Sequence, residues 1–183
     1  APHHPAYLDL TELSAYDPER SQQLLIEAGV SGLRLSLALP PPVYARRGGE
    51  IIAAQLRDVG IETEIVNVEW AQWLEQVFGE GDFDLTVISH TEPMDIEIYG
   101  REDYYFGYGA PEFVALWDEL TRTVEPEARN ALLGDLQRNI SENFVNAYIF
   151  QLAKAGVQNA DLEGLWVNAP TQATDLTQVR WTR

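Results

Sequence analysis

The chain contains no cysteine. That absence excludes disulfides, thiolate metal sites and cysteine nucleophiles. It leaves the compartment open, because disulfide-free proteins live on both sides of a membrane. Basic residues are also few: 12 Lys and Arg stand against 29 Asp and Glu, a formal net charge of -17. No nucleic acid is expected as a partner, since phosphate would be repelled. An anionic membrane surface is disfavoured for the same reason. The acidity suits a cationic ligand or, more simply, a strongly solvated surface. No apolar run approaches the roughly 20 residues of a membrane span. Missing too are a Gly-rich phosphate loop, a Gly-x-Ser-x-Gly elbow and a His-Glu-x-x-His pair. No nucleophile stands beside an obvious base, so nothing supports an enzyme, and no cofactor is expected.

What is present is enough for one domain with a sizeable core: 183 residues, of which 45% are hydrophobic. The opening Ala1-Pro2-His3-His4-Pro5 has neither the basic region nor the apolar core of a secretory leader. With Pro2, Pro5 and Pro18 it reads as an extended segment from the middle of a longer chain. His3 and His4 lie in that segment, where a metal would need further converging ligands.

Asp17-Pro18-Glu19-Arg20 is a helix start, with a capping carboxylate, proline at the first position and an acid at the positive end. Leu24, Leu25 and Ala28 give this helix an apolar face, and Gly29 stops it. Leu33 to Leu39 alternates strictly and reads as a strand. A helix follows from Val43 to Val59, with Ile51, Ile52, Leu56 and Val59 on one side. Ile61 to Val68 is a second alternating strand. Trp70 to Phe78 reads as a short helix, on which Trp70 and Trp73 pack into the core. Phe83 to Ser89 is a third strand, apolar enough to be central. This strand-helix order implies a mainly parallel sheet flanked by helices. Two proline-opened helices are expected over 111–123 and 126–141, then a buried strand over Ala147 to Leu152. Leu165-Trp166-Val167 and Val179-Arg180-Trp181 are short strand candidates.

In an open α/β sheet, ligands bind beyond the carboxyl ends of the strands. The third strand runs into His90-Thr91-Glu92-Pro93-Met94-Asp95, and Tyr99, Tyr104, Tyr105, Phe106 and Tyr108 follow. His90 can donate to a ligand or titrate near neutrality, or simply bond the next loop. Glu92 and Asp95 can hold an ammonium group or sugar hydroxyls, act as acid and base, or cap a short helix over Pro93 to Tyr99. The tyrosines offer flat apolar faces with polar tips, suited to recognition.

Tyr16-Asp17-Pro18-Glu19-Arg20 through Gly29 resembles a helix of the family 5 extracellular solute-binding proteins. These are the dipeptide, oligopeptide and nickel binding components of bacterial ABC importers. Gln55 to Ile65 is similar to a second segment of that family, and Val68-Glu69-Trp70, Gly81-Asp82-Phe83-Asp84, Ser89 to Asp95 and Ala110-Pro111-Glu112-Phe113 match in order. The resemblance implies an α/β, type II periplasmic-binding-protein-like lobe. Residues 17–155 would form the ligand-binding lobe. Residues 1–16 and 156–183 would lead from and return toward an N-terminal lobe. The implied function is binding a small solute by hinge closure and delivering it to an ABC permease, outside the cytoplasm, with no bond chemistry. In peptide-binding relatives an acid on the loop after the third strand receives the peptide amino terminus, and Glu92 or Asp95 occupies that region. Ser89-His90 and Glu92-Pro93-Met94 depart from the family's usual Gly-Trp and Asp-Pro-Asp, which leaves peptide, oligosaccharide, opine or another polar solute open. The expected ligand-binding residues are His90, Glu92, Asp95, Tyr99, Tyr104 and Tyr105. The competing readings are a hydrolase using Glu92 and Asp95 as an acid/base pair, and a sensor lobe.

Overall fold

The computed structural model describes residues 2, 4–90, 95–151, 155–166 and 175–183. Helix α1 spans Pro18–Glu27, and the Asp17 carboxylate accepts from the Arg20 amide at 2.8 Å. Strand β1 (Arg34–Leu39), helix α2 (Val43–Asp58) and strand β2 (Glu62–Asn67) follow. Helix α3 (Trp70–Gln72) continues without a break into a π-helical segment, Trp73–Gly79. Strand β3 is Leu85–Thr86, and a 3-10 turn covers Asp95–Gly100. Helices α4 (Pro111–Arg122) and α5 (Pro126–Glu142) each carry proline in the first turn. Strands β4 (Leu162–Glu163) and β5 (Arg180–Trp181) pair antiparallel.

β1, β2 and β3 form a parallel sheet in the order β2-β1-β3. Leu37 lies opposite both Ile65 and Leu85, and Ala38 opposite Val66 and Thr86. The period-2 alternation of β1 serves two layers. Leu37 and Leu39 pack with Ala53 and Ile52 of α2. Ala38 faces the other way, onto Val68, Trp73 and Val77. A separate core joins α4 to α5 through Phe113, Leu120, Leu132, Leu136 and Ile140. Asp84 pins the start of β3 to β1: its carboxylate accepts from the Ser36 amide at 2.7 Å and the Ser36 hydroxyl at 2.8 Å. Those two bonds hold the Asp84 carboxyl below its ordinary range. Among the described residues no helix is long and apolar enough to cross a membrane.

Several expectations are corrected. β1, not β3, is central, and only Leu85 and Thr86 of the apolar run pair with it. Phe83 and Ile88 are instead partly covered by side chains of the Trp73 cluster. Ala147 to Gln151 forms no strand, and Tyr148, Ile149 and Phe150 are exposed; Leu152 lies outside the described residues. The first tail strand falls at Leu162–Glu163 rather than at 165–167; Val167 lies outside the described residues. The apolar face of α1 is not buried: Leu24 is 48% exposed, Leu25 is half-buried and Ala28 is exposed. The buried face of α2 is made by Ala45, Gly49 and Ala53, while Ile51 points outward. Trp73 is buried as expected, but Trp70 is 44% exposed.

Small residues on that face of α2 let the helix approach the sheet closely. A Cβ at Gly49 would overlap Leu39 Cδ1 and stand 3.0 Å from its Cγ. Leu39 is fully buried and has nowhere to withdraw. Overpacking costs about 1–3 kcal/mol, and alanine returns at most about 1 kcal/mol of helix propensity. Gly49→Ala is therefore expected to lower stability by about 1 kcal/mol net, read as a lower urea midpoint at unchanged slope. A rise in the midpoint would contradict this packing.

Candidate functional site

The parallel strands end on a common edge, and the chain leaving β3 builds a wall there. The Ser89 amide donates to the Tyr44 hydroxyl of α2 at 3.1 Å, which anchors the exit. His90 comes next, exposed at the edge. Its Nε2 and the Tyr105 hydroxyl share a hydrogen bond of 3.0 Å. The two rings lie 15° from coplanar, with centroids 6.1 Å apart. On its other side, His90 Nδ1 is 3.9 Å from Asp95 Oδ2, an ion pair whenever the imidazole is protonated.

Tyr105 is held from behind by Trp73, Phe78 and Phe83, with ring centroids at 5.7, 5.5 and 6.0 Å. Burial raises its phenol well above the ordinary value, and the neighbouring phenols Tyr104 and Tyr99 add to the shift. Tyr105 is thus a neutral hydroxyl at any physiological pH. Tyr104 stands edge-on to Phe78 and Phe106, and the Arg101 guanidinium lies 5.3 Å from its ring centroid.

Tyr99 extends the wall in the other direction. Its ring packs on Phe106 at 4.9 Å and on Phe113 at 6.1 Å. Its oxygen accepts from the Tyr148 hydroxyl at 2.7 Å and from Asn146 Nδ2 at 3.0 Å. Burial raises the Tyr99 phenol; the two accepted bonds offset part of this, and the charge of Asp95 adds to it. The Tyr148 side chain as a whole is exposed, but its hydroxyl end is enclosed beside Tyr99. That burial raises its phenol too, and Tyr99 adds to the shift.

The wall therefore stands on two different cores. Tyr105 packs with the Trp73 cluster beneath the sheet, and Tyr99 with the Phe113 cluster of α4 and α5. The 3-10 turn over Asp95–Gly100 spans the seam between them, with Ile98 buried. Chemically the wall offers aromatic faces, a carboxylate, an imidazole and neutral phenolic hydroxyls. These suit orientation of a polar solute.

Of the expected residues, the structure brings together His90, Asp95, Tyr104 and Tyr105, with Tyr99 joined to them through Phe106. Glu92 lies outside the described residues, and so does the Glu92–Asp95 separation on which a hydrolase would depend. The expected short helix appears as the 3-10 turn beginning at Asp95. His4 accepts from the Ala6 amide through Nδ1, a local turn, and His3 lies outside the described residues. Among the described residues no group of His, Cys, Asp and Glu is placed to hold a metal ion. Sequence reading missed Tyr44, Asn146 and Tyr148. The i, i+2 spacing of Asn146 and Tyr148 was the available signal, since it puts two polar groups on one side of an extended segment.

No family model matches the chain. A stretch of 76 residues is 36% identical to the dipeptide-binding protein of Escherichia coli (strain K12), covering 38% of this chain and 14% of that protein. A stretch of 74 residues is 34% identical to heme-binding protein A of Haemophilus influenzae, covering 37% and 14%. In three dimensions the chain is similar to the dipeptide binding protein of a Pseudoalteromonas species in complex with Met-Leu. That match has a TM-score of 0.74 and 21% identity, over 99% of this chain and 39% of that one. It is also similar to NikA from Staphylococcus aureus in complex with Ni(L-His)2, with a TM-score of 0.68 and 16% identity over 84% and 36%. The chain thus spans well under half the length of these proteins. The resemblance to family 5 solute-binding proteins read from the sequence holds in three dimensions, and the fold is α/β of their type II periplasmic-binding-protein-like kind.

Proposed function

We propose that this chain is the C-terminal α/β lobe of an extracytoplasmic solute-binding protein, and that its wall forms one side of a cleft closed by hinge motion. The observation that carries this is the wall itself. His90, Asp95, Tyr99 and Tyr105 converge on the carboxyl edge of the parallel sheet, where open α/β folds bind ligands. The likeness to dipeptide-binding and nickel-binding structures supports the reading. The solute is small and polar, of peptide or similar kind, and the protein hands it unchanged to an ABC permease. Asp95 takes a cationic group of the solute, His90 gives a hydrogen-bond donor, and Tyr104 and Tyr105 provide aromatic contact.

The test is thermal melting of the protein at its full natural length with dipeptides, oligosaccharides and nickel–histidine. Ligand at a hundred times its Kd adds about 2.7 kcal/mol, read as a rise in Tm of about a few degrees for the longer protein. Asp95→Ala is expected to remove most of that rise. No rise with any of these solutes would overturn the proposal. Turnover of a bound solute would favour a hydrolase instead.

A further inference from the structure

The segment after α3 is wound more widely than an α-helix. Trp73–Gly79 is π-helical, and at its end the Glu80 amide donates back to the Glu75 carbonyl at 2.9 Å. Such turns are rare and frequent at functional sites. In an α-helix, side chains five residues apart point roughly 140° away from each other. The wider turn brings them back toward one side. Trp73 and Phe78 are spaced in this way, and both touch the Tyr105 ring, at 5.7 and 5.5 Å between centroids. They also touch each other, at 6.1 Å. The turn therefore delivers to Tyr105 a second ring that the α-helical register would direct elsewhere.

Burial in the core does not account for the place of Phe78. Trp73 is buried, whereas Phe78 is 43% exposed. Among the described residues its other ring contacts are with the wall: Tyr104, edge-on at 5.6 Å, and Tyr105. The Tyr105 hydroxyl shares the 3.0 Å bond with His90 Nε2. A hydroxyl at the tip of a ring moves farthest when the ring tilts, and a hydrogen bond weakens steeply with lost distance and angle. Whatever blocks the tilt of Tyr105 thus keeps that bond.

We propose that Phe78 is a positioning residue of the solute site: set beside Trp73 by the π-helical turn, it holds Tyr105 so that the phenol meets His90. This rests on the solute-binding reading above and adds to the site a residue that acts through Tyr105 rather than on the solute.

The experiment is a double-variant cycle on the protein at its full natural length, with Met-Leu as the probe. Calorimetry is run well below the unfolding temperature of every variant, so that lost affinity is not lost folded protein. Tyr105→Phe keeps the ring and removes the bond to His90. It is expected to bind Met-Leu about tenfold more weakly, and Phe78→Ala about fivefold more weakly. The double variant is expected to lie within about twofold of Tyr105→Phe alone, since the two residues act as one unit. A second readout needs no solute. The imidazole nitrogen resonances of His90 are expected to shift in Phe78→Ala in the direction set by Tyr105→Phe.

Phe78→Ala binding Met-Leu as tightly as the parent overturns the inference and leaves the solute-binding reading intact. So do losses that multiply in the double variant, which would put Phe78 itself against the solute, or His90 resonances that Phe78→Ala leaves unmoved. Should Phe78→Ala fail to fold, Phe78→Leu, which also lacks the flat ring, is judged by the same outcomes. No binding of Met-Leu by the parent fails the peptide-type reading, and the His90 resonances then decide the positioning of Tyr105 by themselves.

Discussion

Replacing Phe113 with alanine is expected to cost about 3–5 kcal/mol of stability, the range for deleting a buried aromatic ring. Phe113 is 0% exposed and centres the core between α4 and α5. Its neighbours include Leu120, Leu132 and Leu136, all on helices whose backbones cannot close the gap without losing other contacts. For a domain of this size the loss corresponds to a Tm about 6–20 °C lower. The damage also reaches the wall. Phe113 lies against the Tyr99 and Tyr108 rings at 6.1 Å each, and its ring edge comes close to Gly100 at the end of the 3-10 turn. Tyr99 then loses its floor, so solute affinity is expected to fall with stability. Urea unfolding with calorimetry on the same sample checks both. A stability loss under about 1 kcal/mol would mean the helix pair collapses around the gap, contrary to close packing.

The second large effect is expected at Trp73, which is 4% exposed and supports the opposite end of the wall. Trp73→Ala is expected to cost about 3–5 kcal/mol. Its ring touches Trp70, Phe78 and Tyr105. Its indole N–H donates to the Thr86 hydroxyl at 3.0 Å, which in turn donates to the Ala38 carbonyl at 2.7 Å. One side chain thus ties the π-helical segment to β3 and, through Thr86, to β1. Trp73→Phe separates the two contributions. It keeps an aromatic ring and loses the N–H, so it is expected to cost about 1 kcal/mol plus a smaller packing loss. Trp73→Ala should also free Tyr105 and loosen its bond to His90. Guanidinium unfolding gives the first quantity, and solute affinity reports the second. If Trp73→Phe is as damaging as Trp73→Ala, the hydrogen-bond chain, not the ring, holds this end together.

Helices α4 and α5 were legible because proline at the first position and an apolar stripe every three or four residues are local signals. β1 and β2 were legible because their alternation states which face each residue takes. β3 was over-read for a physical reason. A continuous apolar run reports burial, and burial does not require a backbone partner. Phe83 and Ile88 are covered by side chains of the Trp73 cluster, while only Leu85 and Thr86 join the ladder. Ile149 and Phe150 differ: they are exposed, so there the apolar run does not even report burial. The small face of α2 was hidden because periodicity rewards Ile51 and Leu56, whereas close approach to Leu39 rewards Gly49 and Ala53.

The sequence by itself determined the parallel α/β order, the absence of thiol chemistry and the place where the apolar strand meets polar and aromatic residues. These are set by local pattern and composition. Tertiary structure alone decided that His90 sits between Tyr105 and Asp95. It also decided that Tyr99 takes two hydrogen bonds from a segment 47 to 49 residues away. Which groups stand within hydrogen-bond distance of a side chain depends on what the whole fold delivers to it, and no local pattern carries that information.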